Sequence, residues 1–180
     1  MKKVIVFLAE GFEEIEAISI IDILRRAEVS VTSVSIGKDI IVKGAHNILI
    51  EADKLFDDVD FATYDMVVLP GGMPGAKNLQ EHEGVKEQLK VFAENKHIGA
   101  ICAAPMVLGS MGLLKGKRAT CYPGFEPELI GANVTSEPVT VDGNIITGKG
   151  PAYAMKFSLQ LVETLVGKAA HDEVSNALLV

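Results

Sequence analysis

Short runs rich in apolar residues alternate along the chain with longer segments in which apolar residues recur at helical spacing. The runs are predicted to be buried strands, and they cover Val4–Ala9, Val31–Ile36, Met66–Leu69 and Ile98–Ile101. The helical pattern occupies Glu13–Ala27, Gly84–Asn95, Ala103–Met111, Ala152–Val166 and His171–Leu179. Strands that alternate with helices in this way predict an α/β fold, in which a mostly parallel sheet carries helices on both faces.

Short strands are also predicted outside this alternation. Ile40–Glu51 holds two of them, separated at Lys43-Gly44, and Asp142-Gly143 is a hairpin turn between Val139–Val141 and Ile145–Thr147. In a parallel α/β sheet the functional site lies at the carboxyl ends of the strands. Three stretches with chemical character follow predicted strands at that edge: Glu10–Glu16, Pro70–Gly75 and Cys102.

Cys102 lies where a predicted strand passes directly into a predicted helix. Pro105 falls in the first turn of that helix, where its missing N–H costs no hydrogen bond. A thiol in this place faces the free N–H groups and the positive end of the helix dipole, which lower a thiol pKa and favour the reactive thiolate. The sequence therefore predicts a low pKa for Cys102, though not for Cys121. A buried cysteine that packs as a small apolar side chain is the alternative.

Glu16 lies at the N-terminal end of the apolar face of the predicted Glu13–Ala27 helix. The other members of that face are Ile20, Ile23, Leu24 and Ala27. Burial raises the pKa of a carboxyl group, so Glu16 is predicted to keep a proton, to donate a hydrogen bond to a neighbouring thiolate and to titrate with that thiol as one unit. For Glu13 and Glu14, attraction to the positive end of the helix is a sufficient explanation of their position.

Pro70–Gly75 is a loop with little side-chain bulk, in which the backbone N–H groups of Gly71 and Gly72 can approach a ligand closely. Such groups can form an oxyanion hole, which stabilises negative charge on a substrate oxygen. A simple turn is the alternative explanation. The loop lacks both glycine-rich phosphate-binding patterns, and no cofactor is predicted.

Composition narrows the function classes. A chain of 180 residues, 48% of them hydrophobic, is predicted to form a single domain over residues 1–180. The net charge of −7 argues against nucleic acid and anionic membranes as partners. Two cysteines are too few for a disulfide scaffold, and no Cys/His cluster has zinc-like spacing, so no metal is predicted. The apolar N-terminal run is too short for a signal peptide, which favours a cytoplasmic protein.

Three blocks of sequence carry a resemblance to a known family. They are Leu8–Glu16, Val68–Gly72 and Ala100–Pro105, and they resemble the signature blocks of the ThiJ/PfpI superfamily, in the branch of DJ-1 and the bacterial YajL-like proteins. The resemblance extends through Thr147–Pro151 and Val162–Lys168. It implies a single ThiJ/PfpI domain with a flavodoxin-like three-layer sandwich, and a homodimer.

The resemblance also implies the chemistry of the site. Cys102 would be the reactive thiol, hydrogen-bonded to a protonated Glu16, with the Gly71-Gly72 loop and Ala103 beside it. Members of the branch are described as glyoxalases or deglycases that act on methylglyoxal-type dicarbonyls or glycated adducts, and this enzymatic function is the one predicted for Cys102. The alternative is a non-enzymatic oxidative-stress sensor or redox-regulated chaperone in which Cys102 is oxidised to sulfinate. Ala103 stands where the protease branch has histidine, which disfavours a peptidase.

Three positions depart from the DJ-1 pattern. Tyr122 stands where DJ-1 has a histidine, and His46 and Lys149 align with family arginines. Lysine and histidine lack the guanidinium fork, so both changes weaken anion binding around an oxidised sulfur. His46 is predicted to be an exposed loop residue, and Cys121, beside the same loop as Tyr122, a packed thiol.

Overall fold

The computed structural model describes residues 1–180 and contains eleven strands and six α-helices. The strands are β1 (Lys3–Leu8), β2 (Ser30–Ser35), β3 (Ile41–Lys43), β4 (Leu49–Glu51), β5 (Lys54–Leu55), β6 (Met66–Leu69), β7 (His97–Ile101), β8 (Arg118–Ala119), β9 (Asn133–Val134), β10 (Val139–Asp142) and β11 (Ile145–Gly148). The helices are α1 (Glu14–Arg26), α2 (Gly75–Glu81), α3 (Glu83–Asn95), α4 (Pro105–Ser110), α5 (Ala154–Val166) and α6 (Lys168–Leu178).

Seven strands form the central sheet, in the order β10-β11-β7-β6-β1-β2-β5. All neighbouring pairs are parallel except the β10–β11 hairpin at one edge, so the predicted mostly parallel sheet is confirmed. Val4 of β1 is aligned with Met66 of β6, and Met66 in turn with His97 of β7. The carboxyl ends of these three central strands therefore lie side by side.

Alternate residues of β1 point to opposite sides of the sheet, which divides the core in two. Val4 and Val6 belong to a cluster with the buried faces of α1 and α5 and with one residue of α6. Ile5 and Phe7 belong to a second cluster with buried side chains of α2, α3 and α4. Helices thus cover both faces of the sheet, which confirms the flavodoxin-like three-layer sandwich.

The structure differs from the predicted elements mainly in short segments. The hydrophobic pattern does not predict β5, α2 or the β8–β9 pair, because such short segments carry too little periodicity to be recognised. Helix α6 begins at Lys168 instead of His171, since Gly167, with φ of +97°, ends α5 and the next helix follows at once. Helix α4 begins at Pro105 instead of Ala103, so a turn separates it from Cys102. None of the six helices combines the length and the apolar composition that crossing a membrane requires.

Candidate active site

The loops that follow β1 and β6 are hydrogen-bonded to each other at the carboxyl edge of the sheet. The N–H of Glu13 donates to the carbonyl of Gly71 (2.9 Å), and the N–H of Gly75 to that of Gly11 (3.2 Å). An added Cβ at Gly72 or Gly75 would collide with the backbone of the first loop, so the close approach requires glycine at both positions. Cys102 directly follows the neighbouring strand β7 and lies beside Gly71 of the second loop.

Cys102 has a φ of +65°, a left-handed conformation that residues other than glycine rarely adopt. Neighbouring strands and loops hold it there. The Cys102 N–H donates to the carbonyl of Gly148 in β11 (2.9 Å), and the Cys102 carbonyl accepts the N–H of Tyr122 (2.9 Å). The residue is only 8% exposed, and its sulfur borders Gly71. The backbone therefore fixes the sulfur in one direction, as strain at functional residues often does.

Glu16 is fully buried in the first turn of α1, beside Cys102. Its Oε2 accepts the N–H of Gly71 (2.8 Å), while Oε1 has no hydrogen-bond partner within the protein. An added Cβ at Gly71 would lie 2.8 Å from Oε2 of Glu16 and 3.0 Å from Sγ of Cys102, so the carboxyl and the thiol border the same small space.

Burial raises the pKa of Glu16 to about 7. The hydrogen bond from Gly71 and the contact with the Cys102 thiol oppose this rise, and the negative charge of Glu13 adds to it. The raised carboxyl pKa predicted from the helical pattern is thereby confirmed.

The low pKa predicted for the Cys102 thiol is wrong. The pKa of Cys102 is raised to about 12 by burial, by the charge of an ionised Glu16 and by the contact with its carboxylate. The N–H groups of Gly72 and Ala103 lower the pKa and offset this rise only in part. The prediction relied on a helix that starts directly after the cysteine. Helix α4 instead starts at Pro105 and has six residues, so its dipole is small and is not adjacent to the sulfur. Burial also raises the pKa of Cys121, to about 11.

The carboxyl of Glu16 and the thiol of Cys102 behave as a pair that shares a proton. While Glu16 is ionised, its negative charge keeps the proton on the sulfur. When the proton lies on Glu16, that charge is gone, and the N–H groups of Gly72 and Ala103 stabilise the thiolate that remains. The pair loses its first proton near neutral pH and its second only in strong alkali. With one proton on the pair, ionised Glu16 beside a protonated Cys102 is therefore the favoured form, and the thiolate beside a carboxylic acid is its minor counterpart.

Gly71 has a different part in the site from the one the sequence suggests. Its N–H donates to Glu16 and is therefore not free to bind a substrate oxygen. The N–H groups that lower the pKa of the Cys102 thiol belong to Gly72 and Ala103. These two groups can form an oxyanion hole, whereas Gly71 holds Glu16 in place and leaves room for the thiol.

A second group of charged residues lies just outside this pair, and the sequence pattern gives no sign of it. The buried Glu14 carboxylate accepts the backbone N–H of His46 (2.7 Å) and lies 3.0 Å from Nδ1 of the His46 ring. The same ring nitrogen is 3.8 Å from Oε2 of Glu13. His46 is exposed, as predicted, yet it is hydrogen-bonded to Glu14 at the start of α1. Hydrogen bonds from His46 and Ile48 engage both oxygens of Glu14.

The other residues singled out by the sequence lie beside the site or away from it. Tyr122 is half exposed, and its ring packs against Gly150. Nζ of Lys149 donates to a backbone carbonyl of the loop before β10 (3.3 Å). Cys121 belongs to the core cluster on the opposite face of the sheet from that of Cys102. No histidine is among the groups that shift the pKa of Cys102.

Comparison with known proteins places this arrangement in a family. The model of the DJ-1/PfpI family matches residues 2–164. This chain belongs to the DJ-1/PfpI family. The resemblance carried by the three sequence blocks is confirmed.

Relatives within the family match nearly the whole chain. Protein DJ-1 homolog B of Arabidopsis thaliana is 39% identical over 180 residues, which cover 99% of this chain but 41% of that protein, so the chain spans less than half of that relative. The glutathione-independent glyoxalase DJ-1 of Schizosaccharomyces pombe is 35% identical over 189 residues, covering 99% of this chain and 98% of the relative. A deglycase of Pyrococcus abyssi is 31% identical over 167 residues, covering 91% and 99%.

Solved DJ-1 structures share the fold closely. The oxidised form of Toxoplasma gondii DJ-1 superposes with a TM-score of 0.96 at 39% identity, covering 99% of this chain and 98% of that one. The sheet order and the position of the helices are therefore those of the DJ-1 fold.

Proposed function

We propose that this protein is a cysteine-dependent enzyme of the glyoxalase/deglycase type, which acts on reactive dicarbonyls or their adducts through Cys102. The observation that carries the proposal is the joint burial of the Cys102 thiol and the Glu16 carboxyl around Gly71. Two relatives support it, since one is named a glutathione-independent glyoxalase and the other a deglycase. The catalytic residues proposed are Cys102, Glu16, Gly72 and Ala103, with Gly71 as a positioning residue.

The first step is addition of the Cys102 thiolate to the aldehyde carbon of a dicarbonyl such as methylglyoxal. A sulfur–carbon bond forms while the π electrons of the carbonyl move to its oxygen. The N–H groups of Gly72 and Ala103 stabilise this oxyanion, and the proton of Glu16 is then transferred to it. The product is a hemithioacetal on Cys102, beside an ionised Glu16.

The second step moves hydrogen within the bound substrate. The Glu16 carboxylate takes the proton from the former aldehyde carbon, and the resulting enediol receives a proton on the neighbouring carbon. A thioester of a 2-hydroxy acid remains on Cys102, and water hydrolyses it to release the acid and the thiol. Methylglyoxal and one water thus give lactate. Oxidation of one carbon is balanced by reduction of its neighbour, so no external redox partner is required.

Lactate formation from methylglyoxal tests this proposal. The wild type is expected to show saturable turnover, and Cys102→Ala and Glu16→Gln to lower it by about a hundredfold or more. Cys121→Ala removes the other buried thiol and is expected to retain turnover. A folded wild type that forms no more lactate than Cys102→Ala would refute the proposal. An equal loss in Cys121→Ala would show that the thiol of Cys102 has no special role.

The acting form is proposed to be a homodimer in the cytoplasm. Ile15 and Ile18 on one face of α1, and Ile48 and Leu49 on the nearby β3–β4 hairpin, are between 43% and 63% exposed. Apolar side chains exposed together support pairing with a second copy. Both cysteines are free and buried, so light scattering should give the same dimer with and without reductant. A cytoplasmic location fits the two free thiols, since reducing surroundings keep thiols unpaired.

A redox sensor is the second candidate function, and one feature of the site favours it. Oε1 of Glu16 is buried without a partner, so a protonated Glu16 can donate a hydrogen bond to an oxygen of an oxidised Cys102. Two equivalents of peroxide convert a thiolate to sulfinate through sulfenate, each transferring one oxygen atom and leaving as water. The Toxoplasma gondii relative was solved in an oxidised form. Sulfinate at Cys102 alone, in a protein without methylglyoxal turnover, would favour this function.

A further inference from the structure

The β3–β4 hairpin carries His46 to the start of α1, and backbone contacts fix it there. The N–H of Ala45 donates to the carbonyl of Phe12 (2.8 Å). The side chain of Glu14 packs so closely against Gly44 that no Cβ would fit at that position. The position of His46 is therefore set by the hairpin backbone, and a different side chain at this position would be held in the same place.

The ring of His46 lies next to two carboxylates. Its Nδ1 is 3.0 Å from Oε2 of Glu14 and 3.8 Å from Oε2 of Glu13. The hydrogen bond with Glu14 raises the pKa of His46 above its ordinary value of 6.5, and the charges of Glu13 and Glu14 add to this rise. The ring lies at the surface of the protomer, so its protonation state responds to pH.

Glu13 connects this cluster to the catalytic pair. Its negative charge acts on Glu16, and its backbone N–H donates to the carbonyl of Gly71, whose own N–H donates to Glu16. Around Glu16 the relevant groups are Glu13 from the start of its own helix, Gly71 from the β6 loop and the Cys102 thiol from the end of β7. Glu13 is therefore the residue whose carboxylate lies beside His46 and whose charge acts on Glu16.

We infer that His46 is a positioning residue for the proton of the Cys102–Glu16 pair, and that it acts through the charge of Glu13. A protonated His46 offsets the negative charge of Glu13, so Glu16 releases its proton more readily. A neutral His46 leaves that charge unopposed, so Glu16 holds its proton more tightly. The inference deepens the proposed function, because it adds a control on the same site, but it concerns protonation and its test requires no turnover.

The test compares His46→Gln with His46→Arg, which keep the backbone contacts and place a neutral or a permanently charged group beside Glu13. The titration midpoint of the Glu16 carboxyl is followed by carbon NMR at low salt, with Glu16→Gln to assign the signal. We expect the midpoint to lie about 0.5 pH units higher in His46→Gln than in His46→Arg, and the difference to shrink as salt is added. The wild type should titrate between them, because its His46 can be neutral or charged.

Two controls test whether the charge of His46 acts on Glu16 through Glu13. In a Glu13→Gln background the difference between the two His46 variants should collapse, since the carboxylate that connects His46 to Glu16 is gone. His171→Gln removes a comparable ring on α6, 2.8 Å from Asp172, and should leave the Glu16 midpoint unchanged. Equal midpoints in His46→Gln and His46→Arg at low salt would overturn the inference, as would an undiminished difference in the Glu13→Gln background. A wild type without methylglyoxal turnover would instead refute the proposed function. The comparison of Glu16 midpoints would still test the role of His46, because it requires no turnover.

Discussion

Cys102 and Cys121 lie in adjoining turns, since the N–H of Tyr122 donates to the carbonyl of Cys102, but their surroundings differ. The sulfur of Cys102 borders the Glu16 carboxyl and the N–H groups of Gly72 and Ala103. Cys121 packs among apolar side chains on the other face of the sheet, and the charge of Glu126 is the one charge that shifts its pKa. Burial raises the pKa of both thiols, to about 12 and about 11 respectively.

The thiol pKa therefore does not distinguish the two cysteines, and burial does not either. What distinguishes them is a neighbouring group that can take the proton. Glu16, with a pKa of about 7, can receive the proton of Cys102 near neutral pH, whereas Cys121 has no such acceptor. On the proposed function, reactivity at Cys102 follows from the movement of a shared proton, and a thiol that ionises alone is not required.

The largest effect is expected when the space between the thiol and the carboxyl is filled. An added Cβ at Gly71 would lie 2.6 Å from Cβ of Cys102 and 2.8 Å from Oε2 of Glu16, so at least one of them must move. We expect Gly71→Ala to lower the free energy of unfolding by about 3–4 kcal/mol, measured by urea denaturation.

The matched control is Gly124→Ala in the loop after Cys121. No atom lies within 4 Å of an added Cβ there, and only the left-handed φ of +98° opposes alanine. A loss of about 1 kcal/mol is expected for this variant. Equal losses in the two alanine variants would contradict the close packing at Cys102.

The next largest effect concerns the dependence of stability on pH. Burial raises the pKa of Glu16 from 4.5 to about 7, so between these values the folded protein keeps a proton that the unfolded chain releases. The free energy of unfolding should therefore fall as pH rises through this window, by about 3 kcal/mol in total. Glu16→Gln removes this component. Urea denaturation at several pH values measures it, and a parallel pH dependence in wild type and Glu16→Gln would contradict the raised pKa.

A smaller effect is expected in the rates of alkylation. At about pH 8 iodoacetamide should modify Cys102 about tenfold faster than Cys121, since an ionised Glu16 can take the thiol proton as the sulfur of Cys102 attacks, and Cys121 has no such neighbour. The rate at Cys102 should rise through about pH 7, and that at Cys121 only toward its pKa of about 11. Mass spectrometry of the modified peptides measures both rates. Faster labelling of Cys121 at neutral pH would reverse the comparison.

The smallest effect is expected for Cys121→Ala, which removes one sulfur from an apolar cluster. A loss of about 1 kcal/mol in the free energy of unfolding is typical of such a truncation. The titration of Glu16 should be unchanged, because Cys121 does not contact it. A shifted Glu16 midpoint in this variant would show that the two cysteines are coupled.

Elements with a clear apolar pattern could be predicted from sequence, because apolar residues at helical spacing mark the buried face of α1 and every residue of β6 is apolar and buried. Helix α1 was expected at Glu13–Ala27 and spans Glu14–Arg26, and β6 spans the predicted Met66–Leu69. The same pattern placed Glu16 on the buried face, so its raised pKa was predictable. Short elements such as α2 are stabilised by contacts with distant segments, which leave little trace in their own residues.

The sequence by itself determined the edge of the sheet at which chemistry is possible and the residue types that meet there. Only the tertiary structure decided which atoms face one another. Gly71 and Glu16 are 55 positions apart, yet the N–H of one is bound to the carboxyl of the other, which removes it from any oxyanion hole. His46 and Glu14 are 32 positions apart and equally unconnected in the sequence. A pKa or a hydrogen bond depends on distance in space and on exclusion of water, and both are set only when distant segments pack together.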